Sequence, residues 1–441
     1  MNKRMIIKSY PVKNSLKGSV AIPGDKSISH RSIIISSIAN GKSIVSNILK
    51  SEDVLSTINA IKSLGVKIHK KNNKLIIYGK GLKSLKIPKK ELYLGNSGTT
   101  ARLMSGILAS QSFKSKLTGD RSLSKRPMDR IINPLKIMGA NFKSNNKMLP
   151  LIIIGKKNLK PLNFRLTVPS SQIKSGLLFA CLRVQGYSKI IETSITRDHT
   201  ELMLKQFKAN ISITKKNNYK KIIIKGGKEL KPCNIKVPGD FSSAAFFIVA
   251  ALLVKGSHIK LKNINLNPTR TGLLKALTLM KGNIKLKNIK IINKERVGDI
   301  VVKYSKLKGC YLNNKFASTM IDEYPILSIA AANAKGSSKF TGLKELRVKE
   351  SDRLMGISNN LKKFNIKCLV KNNGITITPN INKKNRIVEI NSKGDHRMAM
   401  SFAIMGMVSE KGVKINNSEY IKTSFPNFIS KINSIGAKIL R

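Results

Sequence analysis

A chain of 441 residues exceeds what one hydrophobic core usually serves, so we expect two domains, and an apolar content of 41% is enough to fill both. The sequence contains no apolar run near eighteen residues and no signal-peptide-like stretch behind its first residues, which predicts a cytoplasmic protein that does not enter membranes. The formal charge of +61 suggests a protein that binds nucleic acid. However, the chain has no tryptophan, no block of five basic residues and no nucleic-acid-binding signature.

Most basic residues are lysines that stand singly in alternating segments. Lys260 and Lys262, like Lys285 and Lys287, alternate with apolar residues at the period of a strand, which predicts a lysine-covered solvent face. A nucleic-acid-binding protein therefore remains only an alternative. The four cysteines and five histidines are scattered, so we expect buried free thiols, no metal and no cofactor.

Six polar junctions divide the chain into similar units. Each junction precedes an apolar segment rich in small residues, then a short strand and an amphipathic helix, and five of the units continue into strand-like segments. The order predicts a βαβαββ unit repeated six times. A helix that is apolar nearly all round must be buried, so the predicted class is α/β with helices inside, sheets outside and three units per domain. The markers of the junctions, 70 to 82 residues apart, are Gly24, Asn96, Ser170, Asp240, Asp322 and Asp395.

Glycines follow most of the apolar helices and predict left-handed C-caps. They are Gly41, Gly186, Gly256, Gly336 and Gly412.

The first junction, PGDKSISHR (23–31), combines a helix start with polar chemistry. Lys26 and Ser27 stand at the entry of the helix, and Arg31 projects from the same face as Ser27 because four residues separate them. With the free N–H groups of the helix start, these side chains would hold a phosphate or a carboxylate. A solvated N-cap with surface charges is the alternative interpretation.

The second and third junctions also offer ligand-binding groups. Gly98 in GNSGTTARL (95–103) would let a ligand approach the backbone closely, although a plain tight turn explains it equally. The sequence VPSSQ (168–172) supplies two hydroxyls and an amide, which suit phosphate and hydroxyl groups or ordinary capping.

Acidic residues are rare in the second half of the chain, so we expect those in its motifs to have specific roles. In RVKESDR (347–353), a helix would set Lys349 and Arg353 at i,i+4 with Glu350 beside them, whereas a surface salt-bridge network is the ordinary alternative. Further acids occur in IDEYP (321–325) and GDHR (394–397). If the junctions converge, they form a pocket for two anionic small molecules with acid and base groups between them.

Together, nine motifs resemble the 5-enolpyruvylshikimate-3-phosphate synthase family across nearly the whole chain. They are PGDKSISHR, GNSGTTARL, LTGDRSLSKRPM, VPSSQ, TRDHTE, PGDFSSA, IDEYP, RVKESDR and GDHRMAM. The resemblance implies a two-domain inside-out α/β barrel, each domain containing three βαβαββ repeats. It places one lobe at 23–238, mainly for shikimate 3-phosphate, and the other at 1–22 and 239–441, mainly for phosphoenolpyruvate and catalysis.

The implied reaction transfers the enolpyruvyl group of phosphoenolpyruvate to the 5-hydroxyl of shikimate 3-phosphate and releases phosphate, without metal or cofactor, in the pathway to chorismate and aromatic amino acids. The implied residues for shikimate 3-phosphate are Ser27, Arg31, Ser170, Ser171, Gln172 and Arg197, with Asp322 and Lys349 at its hydroxyls. Those for phosphoenolpyruvate are Lys26, Gly98, Arg126, Arg353 and Arg397, and Asn96 is also expected to bind substrate. Asp322 is the implied base, with Glu350 and Lys26 exchanging the other protons.

The alternative within the same fold is the sister enolpyruvyl transferase acting on UDP-N-acetylglucosamine. That enzyme uses a loop cysteine, but no cysteine precedes Cys181 here. A lysine is common shortly before the C-terminal Phe-Pro of the family, and Lys422 lies one position away, so we assign it no role. We expect a monomer.

Overall fold

The computed structural model describes residues 5–216, 219–380 and 385–441. The strands of these residues are β1 Ile7–Ser9, β2 Lys17–Ala21, β3 Asn40–Ser46, β4 Lys67–Lys71, β5 Lys74–Lys80, β6 Leu92–Tyr93, β7 Lys114–Thr118, β8 Asn141–Ser144, β9 Leu151–Ile154, β10 Asn163–Arg165, β11 Tyr187–Glu192, β12 Asn210–Lys216, β13 Tyr219–Lys225, β14 Ile235–Lys236, β15 His258–Asn265, β16 Asn283–Ile292, β17 Glu295–Lys303, β18 Tyr311–Leu312, β19 Ser338–Phe340, β20 Lys367–Lys371, β21 Gly374–Thr378, β22 Val388–Asn391, β23 Val413–Asn416 and β24 Ile439–Leu440. The helices are α1 Lys26–Ile38, α2 Glu52–Ser63, α3 Gly98–Ala109, α4 Asp129–Ile137, α5 Ser171–Cys181, α6 His199–Gln206, α7 Phe241–Leu253, α8 Gly272–Leu279, α9 Ala317–Met320, α10 Tyr324–Ala332, α11 Arg353–Lys362, α12 His396–Val408 and α13 Phe428–Asn433.

The predicted βαβαββ unit recurs six times along the described residues. The first copy is β2-α1-β3-α2-β4-β5, and the fifth carries the additional short helix α9. The sixth copy, which begins at β22, obtains its last strand from near the N-terminus, because β1 lies between β23 and β24 in their sheet. The α/β class and the repeat order predicted from the sequence are therefore confirmed.

Within the described part of the chain there are six sheets of four strands each, and two strands are exchanged between sheets. In sequence, β2 opens the first copy, yet it pairs in parallel with β15 of the fourth copy. Conversely, β14 opens the fourth copy and pairs in parallel with β3 of the first. The first and fourth sheets are thus ordered β14-β3-β5-β4 and β16-β17-β15-β2.

The chain forms two compact units. We call the described residues of Gly24–Val237 and Ile291–Glu295 the central unit, and those of Met1–Pro23, Pro238–Lys290 and Arg296–Arg441 the terminal unit. Each unit has its own apolar core. The division of substrates between the two predicted lobes stays a prediction.

Each core is built around three buried helices, as the sequence predicts. In the terminal unit, all nine residues of α10 are buried, and of α7 only Leu253 is not fully buried. In the central unit, a Cβ at Gly106 of α3 would lie 1.8 Å from the carbonyl oxygen of Gly176 in α5, so glycine is required where these backbones meet. The sheets cover the outer faces, with lysines such as Lys262 exposed.

The polar junctions cap the buried helices. Asp25, Ser97, Ser170, Asp240 and Asp395 are the N-caps of α1, α3, α5, α7 and α12, and each side chain accepts a hydrogen bond from a backbone N–H of the first turn. Helix α10 starts differently, with Pro325 in its first turn and no side-chain cap.

The predicted glycine C-caps are wrong in position. The five glycines do have positive φ, but the C-cap residues are Ala39, Leu182, Val254, Asn333 and Ser409, and each glycine follows its cap by two to four residues. At the first of these helices the cap Ala39 is extended, and Gly41 already lies in β3. The glycines therefore serve the turn into the next strand.

The cysteine thiols are free, as expected, but only Cys181 and Cys368 are buried, whereas Cys233 and Cys310 are partly exposed. Burial raises the pKa of Cys181 to about 12 and the pKa values of the other three to about 11, so these thiols are poor nucleophiles. No helix within the described ranges has the length and apolarity needed to cross a bilayer.

Candidate active site

In the central unit, the start of α1 presents Lys26 and Ser27. Lys26 is the first helical residue, and its ammonium group forms an ion pair with the buried carboxylate of Asp53 on α2. The side chain of Lys26 remains 19% exposed, so the ammonium is held in place without being closed off from a ligand. Sequence reasoning missed Asp53, which lies 27 positions along the chain in an ordinary amphipathic helix.

Arg31 lies deep in the central unit. Its Nη1 donates to the carbonyl oxygen of Ser27 at 3.0 Å, as the predicted i,i+4 relation requires. Its Nε donates to the Thr200 hydroxyl at 2.7 Å, and its Nη2 donates to the Ser175 hydroxyl at 2.8 Å. These two hydroxyls are 2.6 Å apart, so α1, α5 and α6 meet at one guanidinium.

His30, the neighbour of Arg31 in the motif, is fully buried and serves the scaffold. Its Nδ1 lies 2.7 Å from the hydroxyl of Thr57, which lies 2.6 Å from the hydroxyl of Thr100. Burial, with the nearby charges of Lys26 and Arg31, holds the pKa of His30 well below its ordinary value. The neutral ring thus links α1, α2 and α3.

The start of α3 brings together the second set of predicted residues. Nη2 of Arg126 donates to the side-chain oxygen of Asn96 at 2.6 Å, and the amide of Asn96 donates to Asp120 at 2.7 Å. A Cβ added to Gly98 would lie 3.1 Å from Nη1 of Arg126 and 2.8 Å from Nη1 of Arg102. Gly98 therefore allows the two guanidinium groups to lie against the backbone.

The start of α5 is joined to α3 by a residue that the sequence did not single out. Nη1 of Arg102 donates to the side-chain oxygen of Gln172 at 2.9 Å, and the amide of Gln172 donates to the Thr99 hydroxyl at 3.1 Å. Ser170 caps α5, and Ser171 is its first residue. The remaining predicted residue of this unit, Arg197, lies partly exposed in the loop before α6.

In the terminal unit, Arg353 is surrounded by carboxylates. It is fully buried, and its nitrogens lie 2.8 Å from Oδ2 of Asp395, 2.5 Å from Oε2 of Glu350 and 3.1 Å from Oδ1 of Asp322. Burial alone lowers the pKa of Arg353, but the charges of Asp395, Glu350 and Asp322 outweigh burial and raise it above its ordinary value. Arg353 is therefore a permanent cation.

Asp322 is the common neighbour of the predicted cations in this unit. Its Oδ1 lies 3.9 Å from Nζ of Lys349 and 3.9 Å from Nε of Arg397, in addition to its contact with Arg353. Nη1 of Arg397 also donates to the backbone carbonyl of Asp322 at 3.2 Å. Asp322 thus lies close to Lys349, Arg353 and Arg397, and Arg353 joins Glu350 to the group, so the terminal unit brings five predicted residues together.

The helix predicted over RVKESDR is wrong. A 3-10 turn spans Lys344–Val348, and α11 begins only at Arg353. The side chain of Asp352 accepts a hydrogen bond from the backbone N–H of Met355, which makes Asp352 the N-cap. Lys349 and Glu350 therefore approach Arg353 from the preceding loop.

Behind this cluster lies a second buried group that sequence reasoning missed. Nη2 of Arg270 donates to Asp240 at 3.0 Å and to the Ser242 hydroxyl at 2.9 Å, and that hydroxyl donates in turn to Glu323. Glu323 is fully buried beside Asp322 in the sequence, 4.0 Å from Nη1 of Arg397. The sequence motifs PGDFSSA and IDEYP pointed to Asp240 and Glu323. Their partner Arg270 was missed because it lies in the stretch TRTG, which matches no motif.

In the parts of the chain that the structure describes, no three His, Cys, Asp or Glu side chains are grouped so as to hold a metal ion. The carboxylates of the terminal unit face arginines and lysines instead. Such groups bind anions, stabilise developing negative charge and accept protons.

Comparisons with known proteins agree with this chemistry. The solved structure of EPSP synthase from Acinetobacter baumannii matches with a TM-score of 0.87 at 40% identity, over the full length of both chains. The enolpyruvyl transferase NikO from Streptomyces tendae matches with a TM-score of 0.80 over 99% of this chain and 98% of NikO, and its 12% identity supports the fold alone. The fold is therefore one that enolpyruvyl transferases adopt.

The sequence relatives are more specific. The chain is 47% identical over 426 residues to 3-phosphoshikimate 1-carboxyvinyltransferase from Ruthia magnifica, which covers 97% of each protein. It is 44% identical over 438 residues to the enzyme of that name from Petrotoga mobilis, covering 98% of this chain and 100% of the relative. The family model described as EPSP synthase (3-phosphoshikimate 1-carboxyvinyltransferase) matches residues 12–432, and the chain belongs to this family.

Proposed function

We propose that this chain transfers the enolpyruvyl group of phosphoenolpyruvate to the 5-hydroxyl of shikimate 3-phosphate and releases phosphate, a step of the shikimate pathway. Membership of the EPSP synthase family supports the reaction. The observation that carries its chemistry is Asp322, a partly exposed carboxylate in contact with Arg353 and 3.9 Å from both Lys349 and Arg397.

We assign the proton transfers to residues of these clusters. Asp322 accepts the proton of the 5-hydroxyl as its oxygen bonds to C2 of phosphoenolpyruvate, while C3 gains a proton from Glu350 or Lys26. This addition gives a tetrahedral phosphate adduct. Glu350 or Lys26, having given its proton, then takes a proton back from C3, which restores the double bond as phosphate leaves with the electrons of its C–O bond.

We assign the binding of substrates to the cations and helix starts. Two strongly anionic substrates require several cations, and charge-assisted contacts to phosphate and carboxylate are the strong ones. For shikimate 3-phosphate the proposed residues are Ser27, Arg31, Ser170, Ser171, Gln172, Arg197, Asp322 and Lys349. For phosphoenolpyruvate they are Lys26, Asn96, Gly98, Arg126, Arg353 and Arg397.

The test is phosphate release by the purified protein. With both substrates present, inorganic phosphate should appear in step with loss of phosphoenolpyruvate, and omission of either substrate should abolish it. Replacement of shikimate 3-phosphate by UDP-N-acetylglucosamine should give no phosphate. Absence of release with both substrates contradicts the proposed function.

The lysine-rich surface also raised the alternative of a nucleic-acid-binding protein. Membership of the EPSP synthase family favours the enzyme over that alternative. A salt titration with duplex DNA should show only weak binding that vanishes near physiological salt. We further propose that the chain works as a monomer in the cytoplasm, which light scattering and cell fractionation test.

A further inference from the structure

Two lysines of the central unit break the rule that lysines cover the surface. Lys174 on α5 and Lys220 on β13 are at most 1% exposed, and so are Glu192 at the end of β11 and Glu201 on α6. We call these four residues the buried tetrad. None of them belongs to the residues to which we assign substrates or proton transfers.

The tetrad is a closed arrangement of two positive and two negative charges. Nζ of Lys174 lies 2.9 Å from Oε2 of Glu192 and 2.8 Å from Oε1 of Glu201. Nζ of Lys220 lies 2.7 Å from the same oxygen of Glu201 and 3.6 Å from Oε2 of Glu192. One sheet and two helices are thereby tied together at one point.

Stability alone is a weak reason to bury four charges. Desolvation opposes the attraction within a buried ion pair, and well-packed apolar residues in its place are often equally stable or more so. What such a group provides is geometry, because each charge is satisfied in one arrangement only. The elements that the tetrad joins therefore matter.

One of these elements is the loop that precedes α6. The hydroxyl of Thr196 donates to Oε1 of Glu192 at 2.5 Å, and Thr196 is 3% exposed. Arg197 follows directly and is partly exposed. The tetrad therefore holds the residue from which Arg197 extends.

The other two elements are α5 and α6. Lys174 lies two positions after Gln172, in the first turns of the helix that Ser170 caps. Glu201 is adjacent to Thr200, whose hydroxyl accepts from Nε of Arg31. Apart from Ser27 on α1, each residue of the central unit proposed for shikimate 3-phosphate is therefore part of, bonded to, or next in sequence to an element that the tetrad joins.

We infer that the buried tetrad of Lys174, Glu192, Glu201 and Lys220 is a positioning device for the shikimate 3-phosphate site. This inference rests on the proposed function. The four residues touch no substrate. They act through the start of α5, Arg31 and Arg197. Their loss should therefore weaken the binding of shikimate 3-phosphate and leave the binding of phosphoenolpyruvate nearly unaffected.

The experiment uses the full chain with Lys174→Met and Glu201→Gln combined, because this pair removes one charge of each sign. Calorimetric titration should show the Kd of shikimate 3-phosphate raised at least tenfold. The KM of phosphoenolpyruvate, measured at saturating shikimate 3-phosphate, should stay within about twofold. An unchanged Kd overturns the inference.

A matched control separates positioning from general destabilisation. Leu204→Ala removes a fully buried apolar side chain of the same helix α6 and leaves all four charges of the tetrad in place. It should lower Tm at least as far as the double variant and leave the Kd of shikimate 3-phosphate within twofold. An equal rise in Kd in this control also overturns the inference.

If the double variant does not unfold cooperatively, Thr196→Val supplies the test, since it removes only the hydroxyl that joins the loop to Glu192. Its Kd for shikimate 3-phosphate should rise several-fold at a nearly constant Tm, and an unchanged Kd overturns the inference. Failure of the unsubstituted protein to bind shikimate 3-phosphate at all would contradict the proposed function instead.

Discussion

Nε of Arg353 lies 2.8 Å from Oδ2 of Asp395, and neither side chain has any exposed surface. The other oxygen of Asp395 accepts the backbone N–H groups of Arg397 and Met398 at the start of α12. One carboxylate therefore caps α12 and orients the guanidinium at the start of α11. Through it, the positions of Arg353 and Arg397 depend on each other.

Arg353→Lys should damage both stability and activity. A lysine keeps the charge but cannot reproduce three separate contacts to Asp395, Glu350 and Asp322, so carboxylate oxygens of the cluster lose their donors. We expect a loss of about 3 kcal/mol in the free energy of unfolding, since a hydrogen bond to a charged group contributes about 1.5–3 kcal/mol. Urea unfolding measures it, and phosphate release should fall below one hundredth of its original rate.

The control for this prediction is Arg347→Lys. Arg347 pairs with Asp352 at 3.0 Å, but its side chain is 35% exposed. An exposed pair contributes about 0–1 kcal/mol, so stability and rate should change little. Equal effects of the two substitutions would show that burial of the Arg353 cluster is irrelevant.

Asp322→Asn should lower kcat by about 10²–10⁴-fold, because the amide cannot accept the proton of the attacking hydroxyl. Steady-state kinetics with both substrates measures this change. Asp352→Asn is the matched control, since asparagine caps a helix as well as aspartate does. A kcat of Asp322→Asn within threefold of the original contradicts the assignment of the base.

Arg126→Lys should raise the KM of phosphoenolpyruvate about 10- to 100-fold, because a charge-assisted contact contributes about 1.5–3 kcal/mol and lysine lacks the planar fork. Arg397→Lys should behave in the same way. The exposed Arg121, in the same loop as Arg126, provides the control as Arg121→Lys. An unaltered KM in Arg397→Lys removes that residue from the proposed site.

Gly98→Ala should weaken the binding of phosphoenolpyruvate more than the binding of shikimate 3-phosphate. The added methyl group would lie 2.8 Å from Arg102 and 3.1 Å from Arg126, so both guanidinium groups must shift. A rise in the KM of phosphoenolpyruvate of fivefold or more is expected from initial rates. In Gly356→Ala the methyl group meets only Met398, at 3.3 Å, and we expect unchanged kinetics.

The buried tetrad should make the free energy of unfolding depend on pH in the acidic range. Burial alone raises the pKa of Glu201, but the charges of Lys174 and Lys220 outweigh burial and lower it from 4.5 to about 2. Because the folded pKa lies below the unfolded one, the stabilisation by Glu201 is complete above about pH 4.5 and is lost as the pH falls towards 2. Urea unfolding at several pH values should therefore show a steeper acid loss in the original chain than in Glu201→Gln.

The repeat architecture could be predicted because its signals are local. Apolar helices preceded by residues such as Asp25 and Ser97 are recognisable within fifteen positions. The start of α11 was ambiguous for the same reason, since several residues of RVKESDR favour a helix and only the bond from Met355 to Asp352 settles where it begins.

Ion pairs between residues far apart in the chain could not be predicted from the sequence. The spacing of Lys220 in YKKIIIK resembles that of any solvent-facing strand lysine, and only its contact with Glu201 explains its burial. Asp395 lies 42 positions from Arg353, and no sequence period connects them. Such pairs follow from how the repeats pack, which periodicity does not encode.

The position of β1 between β23 and β24 sets an order for folding during synthesis. The central unit needs nothing beyond Glu295, so it should be able to fold while the rest of the chain is still being made. Strand β1 must wait longer, because Ile7 pairs with Ile415 and Lys8 with Leu440. It therefore leaves the ribosome long before its two partner strands, which are made after the central unit is complete.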